Sequence, residues 1–232
     1  MASDPAQPGA MALVRLLQLA SPAMPIGGYS YSQGLEWAVE CGLVRDADSA
    51  SRWIGDVLDI VVGHGEAPIA WRLLTTAGVD WPRFVHWNAW HRASRETAEL
   101  RAETEQMGYS LVKLAQDLGM LDDAARDTLP QLQPVVLPAA FALFARGFGV
   151  APAQGLIGYI WAWLENEVLA AVKLVPLGQV AGQRLLATLG TRVADIAETA
   201  MVLADDAIST FAPGYALASA HHATQYSRLF RS

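Results

Sequence analysis

The stretch of chain between Pro152 and Pro176 constrains the fold more than any other part of the sequence. Residues 153–174 have the spacing of one long α-helix, and apolar side chains occur on nearly all of its sides. A helix that is apolar all round lies at the centre of a protein or within an interface. Proline fits the first turn of a helix and cannot continue one. The sequence therefore predicts a central helix that other elements surround.

The rest of the chain also predicts helices. Apolar residues at helical spacing, punctuated by proline or glycine, indicate further helices at about residues 13–19, 31–42, 48–61, 67–76, 81–93, 95–118, 139–147, 179–204 and 214–222. Gly190 is a candidate interruption of the helix at 179–204. Alternating segments rich in Val, Ile and Thr, which would indicate strands, do not occur. We expect an all-α fold class, with a single compact domain of about nine or ten helices. Residues 1–10 are predicted to be disordered, residues 11–223 to form the helical domain, and residues 224–232 to form a tail.

Local signals predict several boundaries between these helices. Two prolines and paired glycines make residues 21–29 an irregular loop. Ser30 and Gln33 have the spacing of a capping box, which predicts that a helix begins there. Asp48 is the predicted N-cap of the following helix. The sequence Gly-His-Gly at residues 63–65 predicts a break in the chain of helices.

The charge of the chain argues against nucleic-acid binding. Its 23 acidic residues outnumber its 16 Lys and Arg, which gives a net charge of −7, whereas phosphate neutralisation requires clustered basic side chains. Arg95 with Glu99, and Arg101 with Glu105, have the i,i+4 spacing of ion pairs on a helix surface. A single cysteine fits a reducing compartment. Because the sequence also shows no leader-like or membrane-spanning apolar stretch, we expect a cytoplasmic protein.

Motifs for catalysis and metal binding are weak. The phosphate-binding motif G-x-x-x-x-G-K-[ST] does not occur, and the chain has only two lysines. The segment around Ser30 and Ser32 approaches the nucleophile elbow of hydrolases but misses its spacing. His64 with Glu66, and the adjacent pair at 221–222, are weak candidate metal ligands. An all-α hydrolase or transferase that uses one of these serines, and a nickel-storage protein that uses the histidine pair, stay open as alternatives.

The last nine residues combine apolar and basic side chains. Tyr226, Leu229 and Phe230 alternate with Arg228 and Arg231, and aromatic residues and arginine are enriched at protein–protein hot spots. Two interpretations are open. The tail is either a docking peptide that becomes ordered on a partner or a segment that folds back onto its own domain.

Two further charged residues stand in unusual surroundings. Glu36 lies in an otherwise apolar segment directly after the proline–glycine loop. It either has a special role or faces solvent, since buried carboxylates are uncommon. Lys173 ends the central helix. There it is either a partner contact or a cation placed favourably at a helix C-terminus.

Several segments of the sequence together resemble the UreF family of urease accessory proteins. In chain order they are LQLASPAMPIGGYSYSQGLE at 17–36, RETAELR at 95–101, WLENE at 163–167, VKLVPLGQ at 172–179 and TQYSRLFRS at 224–232. The resemblance runs from about residue 12 to the last residue. One departure precedes the tail, where the family usually has Arg-His-Glu-Thr and this chain has His-His-Ala-Thr at 221–224.

The resemblance implies an all-α, dimer-forming protein that is not an enzyme and has neither catalytic residues nor a resident cofactor. It implies an adaptor between the scaffold accessory protein UreD, also called UreH, and the GTPase UreG. That assembly delivers nickel to apo-urease in a GTP-dependent manner. Neither nucleic acid nor a membrane is an expected partner.

The resemblance also assigns roles to residues. Glu36 and Lys173 match positions that are implicated in contact with the GTPase. By the same resemblance, residues 224–232 are a partner-docking tail that becomes ordered on the scaffold protein. Its implicated residues are Gln225, Tyr226, Arg228, Leu229, Phe230 and Arg231. We call the irregular loop at residues 21–29, together with Ser30, the signature loop. It is expected to form a structural core or part of the dimer interface through Pro25, Gly27, Gly28, Tyr29 and Ser30.

Overall fold

The computed structural model of the protein describes residues 7–232. Over this range it is all-α, without strands, and forms a single compact domain, which confirms the predicted fold class. The helices are α1 Gln7–Leu19, α2 Leu35–Glu40, α3 Ala47–Val57, α4 Ala67–Thr76, α5 Trp81–Ala93, α6 Ala98–Asp117, α7 Asp123–Thr128, α8 Leu137–Gly147, α9 Pro152–Leu174, α10 Gly178–Gly190, α11 Val193–Val202 and α12 Pro213–His222. A π-helix at Leu58–Glu66 joins α3 to α4.

Helix α9 is the centre of the domain, as its all-round apolar sequence predicts. It packs against α1, α2, α3, α4, α8, α10 and α11. Its residues Leu156, Ile160, Leu164 and Val168 are fully buried. Because burial of one such side chain stabilises a protein by roughly 1.5–3 kcal/mol, α9 contributes substantial hydrophobic stabilisation, and the other helices pack around it.

A second layer is formed where α6 crosses α8. The crossing is close because Gly108 lies on α6 against the chain that leads into α8. A Cβ at this position would stand 2.4 Å from the carbonyl oxygen of Val135. Glycine is therefore required for this approach. The crossing matters for function, since α6 carries Glu99 and Glu103 of the site described below.

Two of the predicted helix starts are wrong. Asp46, not Asp48, caps α3: its Oδ1 accepts from the Ser49 amide at 2.8 Å, and Ser49 Oγ in turn accepts from the Asp46 amide. Ser30 and Gln33 do not form a capping box, because Ser30 lies in a 3₁₀ turn at Gly28–Ser30 and α2 begins only at Leu35.

Two other predictions differ from the structure near sequence breaks. The glycines at 63–65 do not interrupt the chain of helices; they are accommodated in the π-helix, whose wider turn also presents Glu66 to the interior. Of the segment expected to be disordered, residues 1–6 lie outside the described residues, whereas residues 7–10 lie in the first turn of α1. Helix α1 thus begins within the segment that was expected to be disordered. Among residues 7–232, no helix has both the length and the apolar character needed to cross a lipid bilayer.

Candidate functional site: the tail and its clasp

The tail, residues 224–232, is folded onto its own domain. Phe230 is only 5% exposed, and Ser232 is fully buried. The main chain of the tail is fixed at its end, where Ser232 O accepts from the amides of Ser32 at 2.7 Å and Gln33 at 3.1 Å. The Arg231 amide donates to Ser30 O at 2.7 Å. In this structure the tail therefore packs on its own domain, which is the second of the two interpretations that the sequence leaves open.

Glu36 is the residue that receives the tail. Its side chain is 7% exposed, and its two oxygens accept from the amides of Leu229 at 2.6 Å and Phe230 at 2.9 Å. Glu36 lies in the first turn of α2, where a carboxylate is favoured by the helix dipole. The interpretation of Glu36 as a solvated residue is therefore wrong. It is buried because it satisfies main-chain donors that would otherwise lose water without compensation.

A third residue, His222, connects Glu36 to Glu99. It is the last residue of α12 and has no exposed surface. Its Nε2 lies 3.1 Å from Glu36 Oε2, and its Nδ1 lies 2.9 Å from Oε2 of Glu99 on α6. The other oxygen of Glu99 accepts from Nη1 of Arg228 in the tail at 2.8 Å. We call Glu36, Glu99 and His222 the clasp, since together they hold the tail against α2, α6 and α12.

Lys173 meets the tail at the end of the central helix. Its ammonium lies 5.5 Å from the ring centroid of Phe230 and 5.9 Å from that of Tyr29. Both distances are within the range of cation–π attraction. The signature loop and the tail thus meet at one cation. Lys173 itself is exposed, so its charge stays available at the surface.

The signature loop forms one wall of a groove next to the tail. The groove has a volume of about 300 Å³, and its lining includes Pro25, Gly27, Tyr29 and, from the tail, Arg231. Gly27 has a φ of +81°, a left-handed conformation that favours glycine. Gly28 and Ser30 form the 3₁₀ turn that follows. The predicted loop residues and the predicted tail residues are therefore neighbours in space.

The outer face of the tail is apolar and accessible. Tyr226 is completely exposed and Leu229 is 66% exposed, although its amide is bound to Glu36. Gln225 is half-buried. The tail thus turns Phe230 inward as an anchor and presents Tyr226 and Leu229 outward on a fixed main chain.

A second buried charge cluster, which the sequence did not predict, lies in the interior. Arg95 forms an ion pair with Glu66, and the Tyr159 hydroxyl donates to Glu66 Oε2 at 3.0 Å. Burial alone would raise the pKa of Glu66, but the charge of Arg95 and the nearby His91 ring, whose Nε2 lies 3.7 Å from Glu66 Oε2, hold it well below its usual range. We call Glu66 and Arg95 the inner pair.

The ion pairs predicted along α6 are not the ones that form. Arg95 pairs with Glu66 rather than with Glu99, and Glu105 pairs with Arg92 rather than with Arg101. The i,i+4 spacing describes only the local chain, and here residues brought close by the tertiary fold offer better partners.

Glu103 connects the interior to the tail. Its Oε1 accepts from Gln33 Nε2 at 2.6 Å, and its Oε2 accepts from the Ser232 hydroxyl at 2.7 Å. Burial raises the pKa of Glu103 to about 7, although these two hydrogen bonds act in the opposite direction. Glu103 and Gln33 also line one end of a cavity of about 110 Å³ beneath the signature loop, whose walls are largely apolar.

The weak alternative motifs do not assemble into sites. His64 is exposed, and its Nδ1 lies 2.8 Å from the Asp59 carbonyl oxygen, whereas Glu66 is buried in the inner pair. Ser32 Oγ donates to Ser232 O at 2.7 Å and accepts from the Glu36 amide, so it is engaged in holding the tail. Within residues 7–232, no group of three or more His, Cys, Asp or Glu residues is arranged to hold a metal ion.

Known proteins are similar to this chain over its whole length. A family model described as UreF matches residues 44–190. The urease accessory protein UreF of Azoarcus sp. (strain BH72) is 53% identical over 237 residues, with all of both chains covered. The proteins of the same name from Cupriavidus metallidurans and Dechloromonas aromatica are 52% and 50% identical, and each alignment covers 95% of this chain and 97% of the relative.

Proposed function

Because the chain belongs to the UreF family of urease accessory proteins, we propose that it acts in urease maturation as an adaptor without catalytic activity of its own. In this proposal it joins the scaffold protein UreD/UreH to the GTPase UreG and forms a homodimer. Nickel is cargo of that assembly on its way to apo-urease and is not a resident cofactor of this chain.

The single observation that carries the proposal is the outer face of the tail. Tyr226 and Leu229 are exposed on a main chain that the clasp fixes in place. Large apolar side chains that are held rigidly bind a partner with little loss of conformational entropy. Tyr and Arg are also the residue types that dominate binding energy at interfaces. This face is the proposed docking surface for the scaffold protein.

Lys173 is the proposed contact for the GTPase. Its position at the end of α9 keeps its charge exposed, and its ammonium makes cation–π contacts with Phe230 and Tyr29. Glu36 supports the proposal in a different way from the one that the resemblance implies. Since its carboxylate is buried under the tail, we assign it the role of holding the docking surface rather than touching a partner.

The proposal is tested by size-exclusion chromatography with light scattering on mixtures of this chain, the scaffold protein and the GTPase. We expect a complex that contains all three proteins with the full chain and no scaffold-bound complex after deletion of residues 224–232. A double substitution, Tyr226→Ser with Leu229→Ser, should reproduce the loss, because it removes only the outer face of the tail.

The matched control is Val202→Ser on α11, which also removes an exposed apolar side chain. It should assemble like the unaltered chain. Scaffold binding that survives deletion of the tail would contradict the docking surface. Absence of any complex with the unaltered chain would contradict the adaptor function.

A further inference from the structure

The cavity beneath the signature loop is larger than the voids of an ordinary protein interior. Its volume is about 110 Å³, whereas voids in a packed core rarely exceed the size of one water molecule. All the residues that line it lie between Leu19 and Asn166, so neither α12 nor the tail forms any part of its wall. Pro22 and Tyr29 line the cavity and are also exposed, which places an entrance beside the loop. The cavity is therefore a candidate binding site that is separate from the docking surface.

Most of the cavity wall is apolar and adaptable. Met24 of the signature loop and Met107 of α6 are buried in it, and the flexible methionine side chain adjusts readily to the shape of an apolar partner. Phe141 and Trp163 add aromatic surface to the wall. Because an engineered apolar cavity of about 150 Å³ in another protein holds benzene, the volume here suits an apolar body no larger than about one six-membered ring.

The cavity also has polar lining groups, which carry both signs of charge. Glu66, Arg95 and Glu103 line it, and none of them is more than 6% exposed. The charges of Glu66 and Arg95 both act on Glu103, so the three groups lie near one another. Nε of Arg95 is buried and has no hydrogen-bond partner within residues 7–232. A buried donor without a partner is unfavourable, and a bound acceptor would relieve that cost.

These polar groups determine the head group of a molecule that fits. An ammonium group has only donors, so it would leave Nε of Arg95 without a partner. A carboxylate has only acceptors, and it would face the carboxyl groups of Glu66 and Glu103. An uncharged hydroxyl group accepts one hydrogen bond and donates another, so it matches the guanidinium and a carboxylate at the same time. The fitting molecule is therefore uncharged and has one hydroxyl on a small apolar body.

We propose that this cavity binds a small uncharged molecule with a single hydroxyl on an apolar body, the chemistry of a phenol or a short branched alcohol. The hydroxyl accepts from Nε of Arg95 and donates to the carboxylate of Glu103. The apolar body fills the space between α6, α9 and the signature loop. The site is a property of the isolated chain and does not rest on the adaptor function.

Carbon–proton NMR of the methionine methyl groups in the full chain tests the site, with phenol as the probe. We expect saturable shifts of the Met24 and Met107 methyl groups, since both residues line the cavity. Met120 and Met201 are also partly buried but lie outside the cavity, and their methyl signals should not move. Equal shifts of all four signals, or no saturable shift of Met24 and Met107, would overturn the site.

Toluene separates recognition of the hydroxyl from simple filling of an apolar space. It has nearly the shape of phenol, with a methyl group in place of the hydroxyl, and it leaves water more readily. A cavity that only shields its occupant from water would therefore bind toluene more tightly than phenol. We expect the opposite order in the same NMR titration, with phenol binding at least threefold more tightly. Toluene that binds as tightly as phenol, or more tightly, would overturn the proposal.

Ala162→Leu tests the location of the bound molecule. Ala162 lines the cavity from α9, so a larger side chain there reduces the space for a ligand. We expect phenol binding to weaken at least fivefold. The matched control is Ala153→Leu at an exposed position of the same helix, which should bind phenol within twofold of the unaltered chain.

Unweakened binding in a folded Ala162→Leu variant would overturn the location. If that variant lost helix content by circular dichroism, the comparison of phenol with toluene on the unaltered chain would still decide the proposal. None of these measurements involves a partner protein, so failure of the adaptor function would leave their result standing.

Discussion

The inner pair and the clasp are both buried carboxylate clusters, yet they join different parts of the molecule. In the inner pair, Glu66 and Arg95 are side chains of the helical domain that contact each other and Tyr159 of the central helix. In the clasp, Glu36 accepts main-chain amides of the tail. One cluster therefore stabilises the fold, whereas the other shapes a surface segment. The stability of the fold and the proposed docking surface therefore depend on separate sets of residues.

The largest effect is expected for Glu66→Gln. This change leaves the Arg95 guanidinium buried without its counter-charge, which typically costs about 3–5 kcal/mol. The free energy of unfolding from urea titration should fall by that amount. Glu96→Gln, at an exposed position next to Arg95, is the control and should change it by less than about 0.5 kcal/mol. Equal effects of the two changes would remove the distinction between a buried pair and a surface charge.

Glu103, which lies between the two clusters, predicts a pH dependence. Its pKa is raised from 4.5 to about 7 in the folded protein. A group with a raised pKa contributes stability that is complete below pH 4.5 and is lost as the pH rises through about 7. Glu103→Gln mimics the protonated form and should lack this loss.

The shift of Glu103 corresponds to at most about 3 kcal/mol. Relative to the unaltered chain, the variant should therefore gain up to that amount of unfolding free energy between pH 5 and pH 8. Urea titrations at the two pH values measure the difference. A variant that is equally destabilised at both would show that the cost of ionising Glu103 is already compensated by Gln33 and Ser232.

The smallest effect on stability is expected for Lys173→Ala. An exposed cation–π contact contributes roughly 0.5–1 kcal/mol, so thermal unfolding should change little. Recruitment of the GTPase, measured by co-elution, should weaken more than dimerisation. Lys113→Ala removes the only other lysine of the chain, at an exposed position on α6, and is the control. Equal loss of recruitment and dimerisation would contradict a specific role of Lys173.

The sequence predicted the helices well where local signals decide them. Residues 67–76 and 81–93 form α4 and α5 with the predicted bounds, and α9 is central because no side of it can face water at low cost. The failures lie where tertiary contacts compete with local ones. Gln33 bonds Glu103 across the fold instead of capping a helix.

The candidate site shows the same division. The tail, Glu36 and Lys173 stand out in the sequence because their residue types conflict with their local surroundings. Arg95, Glu99 and Glu103 do not, since along and just before α6 they have the pattern of an ordinary charged surface. In the sequence, His222 is only one half of a weak histidine pair. Its role depends on two glutamates from distant helices, and no spacing along the chain indicates that contact.

Titration of the scaffold protein with the unaltered chain and with Glu36→Gln tests the separation of fold and docking most directly. The variant keeps the shape of the side chain but cannot hold both amides and His222. The account predicts at least a tenfold weaker affinity for the scaffold at an unchanged midpoint of urea unfolding. An unchanged affinity, or a loss of affinity that only accompanies loss of the fold, would contradict it.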